Sequence, residues 1–228
     1  MRLRRLIVPA LVVLPVLAML LGLGTWQLQR LAWKTELLAR IAASEAGPAQ
    51  PLAPGAEPEP YQKLALTGRF DHGREALLGL EVRVQVLGAR LVTPLLRPGG
   101  ADAVLVDRGW VPLDRPEAPV ARPEGEVVVE GYARPSESPS MFSATDDPAA
   151  RRFFTFDTAA IGAALGLPRT APFALVALGA QEGLPQPART LPRPANSHLG
   201  YVITWYGLAL SLVGVFAAWS WRRLKEPA

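Results

Sequence analysis

The sequence predicts an α+β membrane protein in which two transmembrane helices, N- and C-terminal, flank a β-rich antiparallel domain. Two observations carry that prediction. Half of the 228 residues are hydrophobic, and they concentrate in two runs without charge, Leu6 to Leu28 and Leu199 to Trp221. Each run is about 23 residues, roughly 34 Å as a helix, which exceeds the hydrocarbon core of a bilayer. Between them the pattern changes to short alternating segments punctuated by glycine and proline, the signature of strands and turns.

The first element is the span at 6–28. A cleaved signal peptide is its rival, but the run is too long for a signal h-region and no A-x-A site closes it. Pro9 and Pro15 are tolerable in a bilayer helix that has a neighbour to satisfy the freed carbonyls. Arg2, Arg4 and Arg5 precede this span, and Arg222, Arg223 and Lys225 follow the second, at 199–221. By the positive-inside bias the flanks 1–5 and 222–228 are cytoplasmic and the middle of the chain is periplasmic. Trp26, Trp33, Trp205, Tyr206, Trp219 and Trp221 fit interfacial aromatic belts. The start Met1 to Arg5 runs directly into the span and leaves no room for a mitochondrial presequence, which points to a bacterial inner membrane.

Residues 29–60 read as a stalk and linker. Trp26, Arg30, Trp33 and Leu37 fall at helical spacing, so the helix continues toward Ala43, and Ala46 to Pro60 is rich in Pro, Ala, Gly and Glu without apolar periodicity. The β-rich domain is then 61–182. Strands are expected at Lys63 to Phe70, Ala76 to Leu80, Val82 to Leu87, Ala89 to Leu95, Ala103 to Trp110, Val127 to Ala133 and Phe173 to Leu178. Thr158 to Leu167, Ala-rich and closed by Gly166 and Pro168, is the one helix of this domain. Such a sheet has enough strands to curl toward a barrel. Residues 183–198 carry Pro185, Pro187, Pro192 and Pro194 and predict an extended tether leading back to the membrane.

Charge and composition exclude several functions. The net charge is +4, yet acidic residues outnumber basic ones between Gly47 and His198. The basic character therefore belongs to the flanks, and the exported part lacks the basic face that nucleic-acid binding needs. The chain has no cysteine, so disulfides and thiolate copper sites are ruled out. Met1, Met19 and Met141 are too scattered to hold copper.

No hydrolase arrangement stands out, and the chain reads as a non-enzyme. Ser136, Ser138, Ser140 and Ser143 lie in a Pro-rich loop without the glycine framing of a nucleophile elbow. His72, in Asp71-His72-Gly73-Arg74, reads as a solvated hairpin-turn residue. Asp146, Asp147 and Asp157 match no calcium loop. Asp107-Arg108-Gly109-Trp110-Val111-Pro112 is more distinctive. There Arg108 could recognise a carboxylate or propionate with Trp110 beside it, or Trp110 could be a buried anchor with Arg108 paired to Asp107 or Asp157.

On the second span, at 100° per residue, Gly200, Gly207, Ser211, Gly214 and Ala218 form a stripe of small residues suited to close helix contact. Its expected partner is the first span, which offers Ala18, Gly22 and Gly24. His198, Tyr201, Val202, Trp205, Leu212 and Phe216 lie opposite, and so are expected to face lipid, a flat apolar ligand or another protein. His198 is the side chain here whose neutral imidazole can ligate a transition metal or haem iron at a membrane boundary. The competing reading is an interfacial histidine that binds headgroups or caps the helix.

Several strings together resemble the SURF1 family, also called the Shy1 family, of haem–copper oxidase assembly proteins. They are Gly24-Thr25-Trp26-Gln27 through Lys34, Tyr61 to Phe70, Gly88-Ala89-Arg90-Leu91-Val92-Thr93-Pro94-Leu95, Asp107 to Pro112, and Asn196-Ser197-His198-Leu199-Gly200-Tyr201 through Tyr206. Ser197, Val202 and Phe153 stand where the family tends to have Asn, Ala and Trp. The resemblance implies a non-catalytic assembly factor for cytochrome c oxidase or a related haem–copper oxidase, binding haem a transiently and aiding its insertion into subunit I. It makes His198 the candidate axial metal ligand; the family fixes no role for Arg108, Trp110 and Trp205, which together with Tyr201 are further cofactor-binding candidates. The implied partners are oxidase subunit I, haem a synthase and membrane lipid, and no nucleic acid. The alternative within the family is a haem-independent scaffold that docks and stabilises oxidase subunits.

Overall fold

The computed structural model describes residues 4–53, 55–115, 117–180 and 183–225. The outermost parts of the two expected cytoplasmic flanks, with Arg2, lie outside these residues, as does the end of the expected domain at 181–182. The helices are α1 (Arg4–Ala46), α2 (Thr158–Ala164) and α3 (His198–Lys225). The strands are β1 (Gln50–Pro51), β2 (Lys63–Phe70), β3 (Ala76–Arg83), β4 (Val86–Leu96), β5 (Ala103–Pro112), β6 (Val127–Pro135), β7 (Arg152–Phe153) and β8 (Thr170–Ala177). They form two compact units, a helix pair (Met1–Arg40 with Arg193–Ala228) and a β domain (Ile41–Pro192).

In the helix pair, α1 runs without a break through both Pro9 and Pro15. Both α1 and α3 are long and apolar enough to cross a membrane. The shielded positions of α1 include Val13, Leu17, Leu20, Gly24, Gln27 and Leu31, and those of α3 include His198, Val202, Trp205, Ala209, Leu212 and Phe216. These steps of three and four residues are the seam of a helix pair packed knobs-into-holes. The close approach is made by Gly24, where an added Cβ would lie 3.0 Å from the Tyr206 ring. Thr25 Oγ1 and Tyr206 Oη share a hydrogen bond of 3.0 Å.

This reverses the expected faces. An added Cβ at Gly22, Gly200, Gly207 or Gly214 would meet nothing within 4 Å. The stripe of small residues is open, and the face carrying His198, Trp205 and Phe216 is the one against α1. Periodicity fixes which residues share a face, whereas bulk decides on α3: its larger side chains fill the seam and leave its glycines outside, while Gly24 of α1 stays in the seam as expected and makes room for Tyr206.

In the β domain the strand order is β1-β2-β6-β8-β5-β4-β3-β7, with β2 also paired to β4. That extra pairing, Arg69 with Leu96 and Phe70 with Leu95, closes β2, β6, β8, β5 and β4 into a barrel. Gly68 makes the closure possible, since a Cβ there would sit 2.6 Å from the Leu96 carbonyl oxygen. The sheet is not purely antiparallel: β5–β8, β1–β2 and β3–β7 are parallel. The chain between β5 and β8 lays down β6, β7 and α2, which brings β8 back in the same direction as β5.

Two apolar layers hold the barrel. Leu64, Leu66, Leu95, Val104, Val106 and Leu175, drawn from ring strands, fill the inside. Leu78, Val92, Leu105, Phe153, Phe156 and Ile161 form a second layer outside, under α2. β5 is covered on both sides, so it reads as a nearly continuous apolar run rather than an alternating one. Asp157 caps α2 by accepting from the backbone N–H of Ala159 and Ala160, each at 3.0 Å, and Gly166 in a left-handed conformation follows its end.

The domain also begins earlier than Tyr61. Ile41 is buried, and Leu52 packs on the inner core. Ser44 Oγ donates to the Tyr61 carbonyl at 3.0 Å and accepts from the Lys63 N–H at 2.8 Å. At the other end the proline-rich segment is extended but stitched down, with bridges from Leu184 to Val120, Gln186 to Trp110 and Ala188 to Leu178. Leu191 is buried.

Candidate functional site

His198 opens α3, and its Nδ1 lies 2.7 Å from Gln27 Oε1 on α1. A carbonyl oxygen can only accept, so Nδ1 carries the proton and donates, and in the neutral ring this leaves the lone pair on Nε2. Ring orientation and tautomer are thus set from α1. Asn196 Nδ2 donates to Thr35 Oγ1 at 3.3 Å, while Asn196 Oδ1 and Trp205 Nε1 are buried without hydrogen-bond partners among the described residues. Tyr201 departs from the expected grouping: it is 54% exposed and off the seam.

Gln27 escaped the sequence reading. Its signal was present, because it is a polar residue at a seam position of an otherwise apolar helix face. Among the described residues no group of three or more His, Asp or Glu could hold a metal ion. A lone imidazole does not retain a bare ion, but it suits a metal that arrives with most of its coordination already filled.

Arg108 and Trp110 belong to the β domain and serve separate ends. The pairing register jumps from Leu91–Gly109 to Val92–Asp107, which makes Arg108 the extra residue of a β-bulge. A bulge re-aims a side chain, and here it turns the guanidinium over the Phe70 ring, 4.9 Å from its centroid. Gly109 follows at φ 127 with no room for a Cβ beside the Gln186–Pro187 backbone. Trp110 is the buried anchor: its Nε1 donates to the Glu81 carbonyl at 3.0 Å, and its ring lies flush on Gly88.

The ion pairs differ from those expected. Arg108 Nη1 donates to Glu75 Oε1 at 3.4 Å and Nη2 to the Ala121 carbonyl, so its carboxylate is Glu75 rather than Asp107 or Asp157. Arg122 donates to the other oxygen of Glu75 at 2.8 Å. Burial lowers the Arg108 pKa, with Glu75 opposing and Arg122 adding to the shift. Asp107 is buried against Arg90. Burial pushes its carboxyl above the ordinary range, against the pull of Arg90.

His72 is not a solvated hairpin residue. It stands in a short 3-10 turn between β2 and β3, which do not pair with each other. Its Nδ1 meets Glu75 Oε1 at 3.2 Å and its Nε2 the Pro123 carbonyl at 3.0 Å, so neither nitrogen is open to a metal. Asp146 and Asp147 accept from backbone N–H groups of Phe154 and Ala150, and Asp157 caps α2.

The sequence model of the SURF1 family matches residues 14–210, a stretch that takes in Gln27, the whole barrel and His198. The chain belongs to the SURF1 family. Among its relatives is a SURF1-like protein of Monosiga brevicollis, 30% identical over 227 residues that cover 90% of this chain and 83% of that one. A SURF1-like protein of Rickettsia felis is 30% identical over 215 residues, 90% of this chain and 94% of its own. The cytochrome oxidase assembly protein SHY1 of Saccharomyces cerevisiae is 36% identical over 94 residues, 39% of this chain and 24% of that one. In this SURF1-family chain the five motifs quoted from the sequence now have places. Gly24–Gln27 and His198–Tyr206 face each other in the helix pair, and Gly68, Gly88 and Asp107–Trp110 close and brace the barrel.

Proposed function

We propose that this chain is a membrane-bound assembly factor for cytochrome c oxidase or a related haem–copper oxidase, which receives haem a on His198 and aids its insertion into subunit I. The observation that carries the reading is the hydrogen bond from His198 Nδ1 to Gln27. It directs the lone pair to Nε2, the arrangement of an imidazole prepared to be an axial ligand. The ring bound there would bring four nitrogen ligands of its own, which fits a site with a single imidazole. Trp205 would present its unpaired indole N–H to the same ligand. The yeast relative SHY1, a cytochrome oxidase assembly protein, supports the oxidase as the client. α1 and α3 would span a bacterial inner membrane with both ends cytoplasmic and the barrel periplasmic, and haem a synthase would supply the haem.

The test is an absorption spectrum of the detergent-purified chain from a host that makes haem a, beside His198→Ala. The wild type is expected to carry a haem signal that the variant loses. A variant with unchanged spectrum and affinity removes His198 as ligand. A second reading, a haem-independent scaffold, is favoured by the open small-residue face of α3 at Gly200, Gly207 and Gly214, which can accept a helix of another subunit. Haem-free protein that still captures subunit I would select it.

A further inference from the structure

The inner core of the barrel opens at one end into a cavity of about 630 Å³. Its walls include Phe70, Val127, Val129 and Ala177, the same residues that pack on the ring interior. A barrel mouth with apolar walls and a few placed polar groups is a common ligand site. Here the charged groups are two guanidiniums and one outer carboxylate, Glu130. Arg108 and Arg122 line the cavity, and Arg108 is only 7% exposed.

Both guanidiniums share one carboxylate, Glu75, which also receives His72 and the Thr93 hydroxyl. Around Glu75 itself, one carboxylate faces two guanidiniums. Glu130 also lines the cavity; it lies one step out of phase with the inward-facing Val127 and Val129 and is exposed. The β-bulge that re-aims Arg108 is followed by Gly109 at positive φ, and bulges are over-represented beside working sites. Arg122 is half-exposed, with a side-chain exposure of 51%, so it can turn toward an incoming anion while Arg108 stays fixed.

We infer that the barrel mouth binds a small amphiphile, an apolar body carrying one carboxylate, with the body against Phe70, Val127 and Val129 and the carboxylate on Arg122 and Arg108. The site is independent of His198. An acyl chain and a flat ring acid share this chemistry, so the probes separate them.

The experiment is calorimetric titration of the full chain in lipid nanodiscs, with empty discs subtracted, using 2-naphthoate, dodecanoate, 2-naphthylmethylammonium and acetate. The two apolar carboxylates should bind, the tighter one naming the body as ring or chain, and the cation of the same shape and acetate should not. Arg122→Gln should weaken binding about tenfold, the scale of a lost charge-assisted contact, and Val129→Trp should abolish it by filling the mouth. His198→Ala should leave it unchanged. Equal binding of the ammonium and the carboxylate, or no binding of either carboxylate, overturns the proposal. So does affinity for the carboxylates that survives both Arg122→Gln and Val129→Trp.

Discussion

The amide of Gln27 decides which ring nitrogen of His198 carries the proton, and a substitution that keeps the helix but removes the acceptor isolates that effect. Under the proposed haem role of His198, Gln27→Leu is expected to weaken haem binding by about 10- to 100-fold with His198 still in place, as read by haem titration of the purified chain. Elsewhere a second buried pair gives a pH prediction. Asp107 is held by Arg90 in the barrel wall, and removing one partner of such a pair costs about 3–5 kcal/mol. Arg90→Met should therefore destabilise the domain by that order at neutral pH. The Asp107 carboxyl is raised in the fold, mainly by burial. Its contribution to stability is thus fullest below the ordinary aspartate pKa of about 3.9 and is lost as pH rises through the higher folded value. Without Arg90 that loss deepens, so thermal unfolding of the variant should recover toward wild type as the pH is lowered.

At the scale of elements, the two faces of α3 make opposite predictions. Gly24→Leu on α1 drives a side chain into the Tyr206 ring and should separate the helices, lowering the unfolding temperature in detergent. Gly207→Leu and Gly214→Leu enter open space and should leave the isolated chain within about 1 kcal/mol of wild type. If the same two variants lose capture of an oxidase subunit, the open face is its docking surface. The sequence was legible here in phase but not in side, because a 3.6-residue period groups residues without saying which group has a partner. Strands were legible where apolar and polar residues alternate without a break. Lys63 to Phe70 was read to the residue. The reading broke β3 and β4 into shorter pieces at two places, near Gly79, in a left-handed conformation beside the register shift of β3, and at Gly88, which lies under Trp110. It also failed at the real turn, since Val84 and Gln85 adopt positive φ without being Gly, Asn or Asp.

For the molecule as a whole, barrel closure rests on two residue pairs between β2 and β4. Gly68→Val would press on the Leu96 carbonyl and should cost about 1–3 kcal/mol, visible as a lower midpoint in thermal unfolding. Closure was not legible in the sequence, because it depends on which distant strands meet, and alternation says nothing of partners. The site divided in the same way. His198 was legible as a histidine at the start of an apolar run, whereas Gln27 and Glu75, its counterparts in the helix pair and the barrel, gain meaning only from residues far along the chain. The closed ring also shapes how damage would register in a cell. Its strands β2 and β8 come from opposite ends of the domain, and each ring strand has neighbours on both sides, so no strand can peel away alone. Variants in the ring away from the mouth should therefore act through dosage: fewer copies surviving quality control, each of them fully competent, and an assembly defect that extra expression or a lower growth temperature relieves.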